Sequence, residues 1–377
     1  MKTDIKIASI RTIVLACPFF LISVSAPVVA SNADNVDEIL EESLEGEALV
    51  KNKGQWVPVP MIVSNPTVGT GLQAVLMYLH PEQPGSTHNV TTGLVGMYTD
   101  TSSWFTGVFH DDSFMDDRFR ISGFLGTGTF YLDYYGIGDI TGDKSIPYEF
   151  NMNVATVKLQ ARIPETSHWF AGVLYIFLST DSEFKTSDVI PGLPNIIFSD
   201  KTAGLGVLVA FDSRNNNYYP TEGQWAEVKW TDYSETWGGD HDYNKTTAFI
   251  NHYQPATEQL TLVLRTRLES SSGDVPYYDL PTLQMGGFSR DRYRDYNTWS
   301  FHTEGRYKFQ PRWGVIGFYE FGWFNKNLSD IFSGDRVVSY GTGVRWQVTE
   351  KQQMNLGIDA AFSGAEKAIY IKIGERF

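Results

Sequence analysis

The sequence predicts an all-β fold, a transmembrane antiparallel β-barrel of sixteen strands. Three observations predict it: residue-by-residue alternation, an export signal at the N-terminus, and an aromatic-rich chain without a long apolar run. Alternation is plainest in 297–325. There Trp299, Phe301, Tyr307 and Phe309 share one face, against Ser300, His302, Glu304, Arg306 and Lys308 on the other. Trp313, Val315, Tyr319, Phe321 and Trp323 then share a face opposite Glu320 and Gly322. Period-2 alternation marks strands lying between two environments. A soluble sandwich turns its apolar face to a core, whereas a membrane barrel turns it to lipid and keeps charge in a wet lumen.

The N-terminus favours the barrel. Lys2, Lys6 and Arg11 precede an apolar stretch, Thr12–Ser25, and Val28-Val29-Ala30 offers small residues for cleavage before Ser31. That pattern is a signal peptide over residues 1–30, its apolar core too short for a comfortable spanning helix. The single cysteine, Cys17, lies inside it, and the preceding Val14-Leu15-Ala16 fits lipid attachment poorly. The mature chain is then free of cysteine and of disulfides, which suits a barrel better than a secreted soluble domain. Aromatics make up 14% of residues, and nothing after Ser31 is long and apolar enough to be a membrane helix. A net charge of −14 argues against nucleic acid as a partner.

Residues 31–55 form an acidic leader in which Val36, Ile39, Leu40 and Leu44 have helical spacing. It reads as disordered, or as a short periplasmic helix docking at or in the barrel mouth. The barrel occupies 56–377. Its strand-like runs are 57–65, 69–80, 90–99, 103–110, 117–135, 149–163, 167–182, 200–212, 223–235, 242–255, 258–271, 297–309, 313–325, 335–348, 353–362 and 366–377. The fifth could break at Gly126-Thr-Gly128, and the even total follows the barrel rule. With a periplasmic N-terminus, the short turns Pro164–Thr166, Pro255–Thr257, Gln310–Arg312 and Thr349–Gln352 face the periplasm. The long loops 136–148, 183–199 and 272–296 face outward; the turn at 80–90 is the exception. Run 167–182 is apolar on both faces and cannot be oriented. In the last runs Ile358, Phe362, Ile369, Ile371, Ile373 and Phe377 fall on the lipid side, with Asp359, Tyr370, Lys372, Gly374 and Arg376 opposite. A terminal phenylalanine on such a strand, Phe377, looks like the signal read by the outer-membrane assembly machinery.

Three blocks together resemble the bacterial surface antigen barrel, the membrane domain of the BamA/TamA outer-membrane insertase superfamily. The first, Phe211-Asp-Ser-Arg-Asn-Asn-Asn-Tyr-Tyr-Pro-Thr-Glu-Gly223, is similar to the family's periplasmic turn, with Asp212, Arg214, Pro220 and Gly223 at its motif positions. Locally, Asn and Asp bond to the turn backbone, Pro220 fixes φ and Gly223 frees the return into a strand. The second, Met285-Gly-Gly through Arg292-Tyr-Arg-Asp295, is similar to the long sixth extracellular loop. The third is Thr303–Phe309 with Phe318–Gly322, and Ser339–Trp346 matches as well. The resemblance covers about 56–377 and is densest in 203–377.

The resemblance implies that the sixth loop folds into the lumen and pairs an arginine with acidic residues of the next strands. Glu304 and Glu320 fall on the lumen side, and Gly286, Gly287, Arg290, Arg292, Arg294 and Asp295 form the loop motif. The family's Arg-Gly-aromatic tip is absent, so Arg290, Arg292 or Arg294 would substitute, Arg292 first. A confined arginine is favourable only beside a well-placed carboxylate; alternatively, these charges simply line a wet pore. Gly204/Gly206 and Gly341/Gly343 would admit a returning loop close to the wall. The sequence shows no periplasmic substrate-binding (POTRA) array, which puts autonomous insertase activity in doubt. Pro58 and Pro60 leave the first strand short of donors where it meets the last.

The function implied is assistance in inserting or translocating proteins at the outer membrane of a Gram-negative bacterium, with lipid, the assembly machinery and periplasmic or membrane proteins as partners. The alternative is a passive or loop-gated channel for small solutes. Enzyme motifs are missing: there is no Gly-x-Ser-x-Gly, His-Glu-x-x-His or phosphate loop. His110-Asp-Asp-Ser-Phe-Met-Asp-Asp117 and Gly239-Asp-His-Asp242 read as solvated acidic turns, and no catalytic residue, metal or cofactor is expected.

Overall fold

The computed structural model describes residues 55–65, 67–80, 90–137, 145–216, 219–289, 292–334, 336–347, 355–364 and 366–377. The signal peptide, the leader up to residue 54, Arg290 and the turn Thr349–Gln352 lie outside the described residues.

Sixteen strands follow one another: β1 (Gln55–Asn65), β2 (Gly69–Leu79), β3 (Thr91–Thr99), β4 (Trp104–Phe114), β5 (Phe119–Tyr134), β6 (Ile146–Arg162), β7 (Trp169–Phe184), β8 (Ile196–Asp212), β9 (Gly223–Tyr233), β10 (Tyr243–Pro255), β11 (Leu260–Gly273), β12 (Asn297–Lys308), β13 (Trp313–Asn325), β14 (Val337–Gln347), β15 (Asn355–Ser363) and β16 (Lys367–Ile373). They form one antiparallel sheet in sequence order. The sheet curls until β1 and β16 lie alongside each other, giving the transmembrane barrel that the alternation predicts.

Side chains sort as a barrel requires. Leu72, Leu125, Val207, Val228, Ile250 and Ile358 stand at least half exposed on the outer face, part of an apolar band around the sheet. Inward positions differ between the two halves. In β11–β16 they are ionic: Arg267, Glu269, His302, Glu304, Arg306, Glu320, Arg345 and Asp359 are all buried. In β2–β7 they are mainly apolar, and Phe130, Leu132, Tyr148, Phe150 and Leu178 pack with Tyr277 and Tyr278 from the β11–β12 loop. This explains why β7 is apolar on both faces: Phe170, Leu174 and Leu178 point inward while Val173 and Tyr175 face out.

Strand bounds depart from expectation mainly in this half. β6 and β8 begin at Ile146 and Ile196, shortening the loops expected at 136–148 and 183–199. The reason is packing: Ile146, Ile196 and Phe198 join the aromatic cluster around Tyr277 and Phe184. The fifth strand is continuous. Its Gly126 makes room for the Phe105 ring, 2.5 Å from where a Cβ would sit, rather than ending the strand.

Candidate functional site

The β11–β12 loop (residues 274–296) carries the site. It is tied at its start by Asp279, whose carboxylate accepts bonds of 2.8 Å from Tyr243 Oη and Lys245 Nζ. It then doubles back, with Thr282 bridging Arg294 and the Leu283 N–H donating to the Tyr293 carbonyl at 2.9 Å. Leu283, Met285, Phe288 and Val337 form an apolar seat inside the barrel, with Tyr293 edge-on to Phe288.

The tip meets the wall of the last strands. The Gly286 N–H donates to Glu320 Oε2 at 2.8 Å, and the Gly287 N–H to Tyr370 Oη at 3.1 Å. Ser363 Oγ donates to the Gly287 carbonyl at 3.1 Å. Glu366, in the β15–β16 turn, accepts the Ser289 N–H at 2.8 Å and Arg292 Nη1 at 2.6 Å. Gly287 sits at φ +89°, and a Cβ there would press on the Phe362 backbone at 2.8 Å. Glycine is therefore required twice over, by conformation and by space.

The arginines are placed differently from the resemblance's expectation. Arg292 reaches Glu366 instead of Glu304 or Glu320. Arg294 is fully buried, donates to the Tyr277 carbonyl at 3.2 Å and lies 5.9 Å from the Tyr134 ring centre. Asp295 is buried and accepts the N–H of Tyr296. Glu304 is paired within its own strand, with Arg306 Nε at 2.6 Å. Glu320 faces His302 Nδ1 at 2.9 Å and Arg376 Nη1 at 3.0 Å. The wall glycine that admits the loop is Gly322, where a Cβ would lie 2.8 Å from Leu283. Gly204, Gly206, Gly341 and Gly343 instead make room for side chains and backbone of neighbouring strands, among them Tyr233, Thr231, Phe318 and Asp359.

Arg376 belongs to a tail that departs from its strand. After β16, Gly374 turns at φ +74° and the last residues enter the lumen. Glu375 pairs with Arg345 at 2.9 Å, and Arg345 also holds Asp359. Phe377 packs edge-on to His302 at 4.6 Å with Arg265 over its ring at 4.1 Å. Phe377 therefore does not continue the lipid-facing row. Alternation places His302 and Tyr370 in the inward-facing set but does not single out them or Glu366 as partners of the loop and tail.

At the short-turn end Asp212 and Arg214 pair through both oxygens, at 2.8 and 2.9 Å. Arg214 also covers the Trp225 ring at 4.3 Å. The Pro220 carbonyl accepts Arg306 Nη1 at 3.3 Å, so this turn reaches into the lumen. Gly223 has φ +102°, and a Cβ would lie 2.2 Å from the Ser213 carbonyl. The His110–Asp117 cluster is dispersed by the turn: Asp117 pairs with Arg120 and Arg162 at 2.6 and 2.9 Å, while His110 meets Thr92. His241 sits between Asp200 at 3.2 Å and Asp274 at 3.0 Å.

The β1–β16 seam has an edge chemistry set by parity. Backbone groups of alternate residues point to opposite neighbours. His80 and Thr70 bond to the β3 side, so the odd residues of β2 face β1. In the observed register these meet odd residues of β1. Trp56, Pro58, Pro60, Ile62 and Ser64 therefore point their backbone at the seam, where both prolines lack a donor. Across it, the Gly374–Asn355 and Ser363–Glu366 bonds send the even residues of this segment towards β15. Lys367, Ile369, Ile371 and Ile373 are left facing β1. Among the described residues no rung joins the two strands.

Fold and site together define a sixteen-stranded transmembrane barrel with a loop latched inside it. No protein-family model matches the chain, and no curated protein matches it. Solved structures do. BamA from Haemophilus ducreyi, in a form lacking POTRA domains 1–3, matches with TM-score 0.56 and 12% identity over 86% of this chain and 70% of that one. CdiB from Acinetobacter baumannii matches with TM-score 0.56 and 11% identity, and CdiB from Escherichia coli with 0.56 and 10%. Both cover 85% of this chain, which spans 59% and 62% of theirs. The barrel fold is that of BamA and CdiB.

Proposed function

We propose that this chain is an outer-membrane barrel of a Gram-negative bacterium that assists insertion or translocation of polypeptides through the β1–β16 seam, without a catalytic step. Both termini of the barrel then lie in the periplasm, where partner proteins act with it. The observation that carries the reading is the pair of prolines on the seam-facing edge. Backbone groups left unpaired in lipid cost several kcal/mol each, so an edge lacking two donors is the weakest line around the barrel. An incoming strand that offers its own backbone gains at that line. The loop fits the reading because it holds the seam strand β16 at Tyr370 and the turn leading into it at Glu366.

The second reading is a loop-gated channel, favoured by the ionic inner wall of β11–β16. Proteoliposomes separate the two. If the first reading holds, the reconstituted protein speeds the folding of a urea-unfolded outer-membrane barrel added from outside, relative to empty liposomes. A steady ion conductance with no effect on client folding would decide for the channel.

A further inference from the structure

Strands β5–β8 rise well past the apolar band at the long-loop end. On β8 the band ends near Leu205, and Ile197 lies eight residues further along, roughly 26 Å at strand rise. The outer face is polar in between, with Asp181, Glu183, Ser199 and Lys201. This upper part of β8 is paired on one side only. Its ladder with β7 runs the whole length, whereas that with β9 starts at Gly204.

Parity shows which groups the missing neighbour leaves open. Asp212 bonds towards β7, while Ala203 and Lys201 bond towards β9 and its loop. Odd residues therefore face the open side. The loop after β9 covers part of it: the Asp240 N–H donates to the Lys201 carbonyl, and Asp240 Oδ2 accepts the Lys201 N–H, both at 2.8 Å. Beyond that cap, the backbone N–H and C=O of Ile197 and Ser199 meet no hydrogen-bond partner on this side among the described residues. Ile197 is 71% exposed. Chains usually blunt such edges with proline or charge, and neither Ile197 nor Ser199 supplies either.

We propose that the upper edge of β8, at Ile197 and Ser199, is a strand-addition site for an extended, cation-bearing segment of another polypeptide outside the membrane. Its two residues present the alternating donors and acceptors that an added strand pairs with. Ile197 gives an apolar contact at one alternate position, and around the edge the exposed carboxylates of Asp181 and Asp240 outnumber the exposed ammonium of Lys201. The inference holds whether the barrel inserts, translocates or conducts.

The test uses the full chain in detergent micelles and a fluorescein-labelled synthetic peptide alternating valine with lysine. Fluorescence anisotropy should show saturable binding. Ser199→Pro removes a donor from the open edge and leaves the β7 ladder intact, and should weaken binding about tenfold or more. Ser199→Ala keeps the donor and should bind like the wild type. A peptide N-methylated on alternate backbone nitrogens keeps its charge and should fail to bind. Equal binding by the N-methylated peptide, or by Ser199→Pro, would reduce the effect to charge or grease and overturn the proposal. So would absence of binding to the wild type, or a dimer in light scattering that Ser199→Pro dissociates, which would make a second copy the occupant.

Discussion

Glu320 Oε2 accepts the N–H of Gly286 at 2.8 Å while its Oε1 faces Arg376 at 3.0 Å. One wall carboxylate thus joins the lumen loop to the C-terminal tail, and through the tail to the seam strand β16. Glu320 is fully buried, and His302, Arg376 and the Gly286 amide supply the partners that a buried carboxylate requires.

Removing that carboxylate leaves the largely enclosed Arg376 side chain, 16% exposed, without its partner. Glu320→Ala is expected to cost about 3–5 kcal/mol, read as a lower temperature for loss of the compact band in heat-modifiable electrophoresis. Loop and tail should also become cleavable by trypsin at Arg292 and Arg376. Unchanged melting and protection would show that Glu320 is not the joint.

Glu366 holds the outer part of the loop and is partly wet, so it matters less. Arg292 and Glu366 side chains are 12% and 21% exposed, and Glu366→Ala should cost about 1 kcal/mol. The expected signature is brief current openings in a bilayer with little change in melting. A loss as large as that of Glu320→Ala would mean that the loop is anchored chiefly from outside.

Pro58→Val with Pro60→Val restores two donors to the seam-facing edge. The double variant should exchange the amides of Trp56 and Ile62 more slowly and lower client-folding activity several-fold, each new bond being worth about 1 kcal/mol. Unaltered exchange would place the weak line elsewhere in the barrel.

His241 gives a pH dependence outside the membrane. Its bond to Asp200, against the opposing cost of burial and with help from Asp274, raises its pKa from 6.5 to about 9. A pKa raised on folding contributes stability that is full below 6.5 and fades as pH rises through 9. Melting should therefore fall from pH 6.5 to 9 and beyond, and His241→Asn should flatten that slope. An identical slope in the variant would remove His241 from the cause.

Strand number and the inward set were legible because period 2 survives wherever lipid and lumen differ in polarity. Trp299 and Phe301 against His302 and Glu304 show it. The signal failed where the lumen is itself apolar, as along β7, since Phe170 and Val173 are alike in hydropathy. Partners were harder to read than faces. Glu320 needed a cation, but which one depended on Gly374 turning the chain inward, a conformation that alternation cannot encode. Arg292 finding Glu366 likewise depends on where the loop's fold-back ends. The seam-facing phase of Pro58 and Pro60 needed the register of β1 on β2 before it could be assigned.

Single-channel recording tests most directly that the loop occupies and closes the barrel. Purified full-length protein should show no steady current in a planar bilayer, and a version with 286–296 replaced by a glycine-serine linker should conduct continuously. Equal, steady conductance from both would contradict the closed lumen and the latch built upon it.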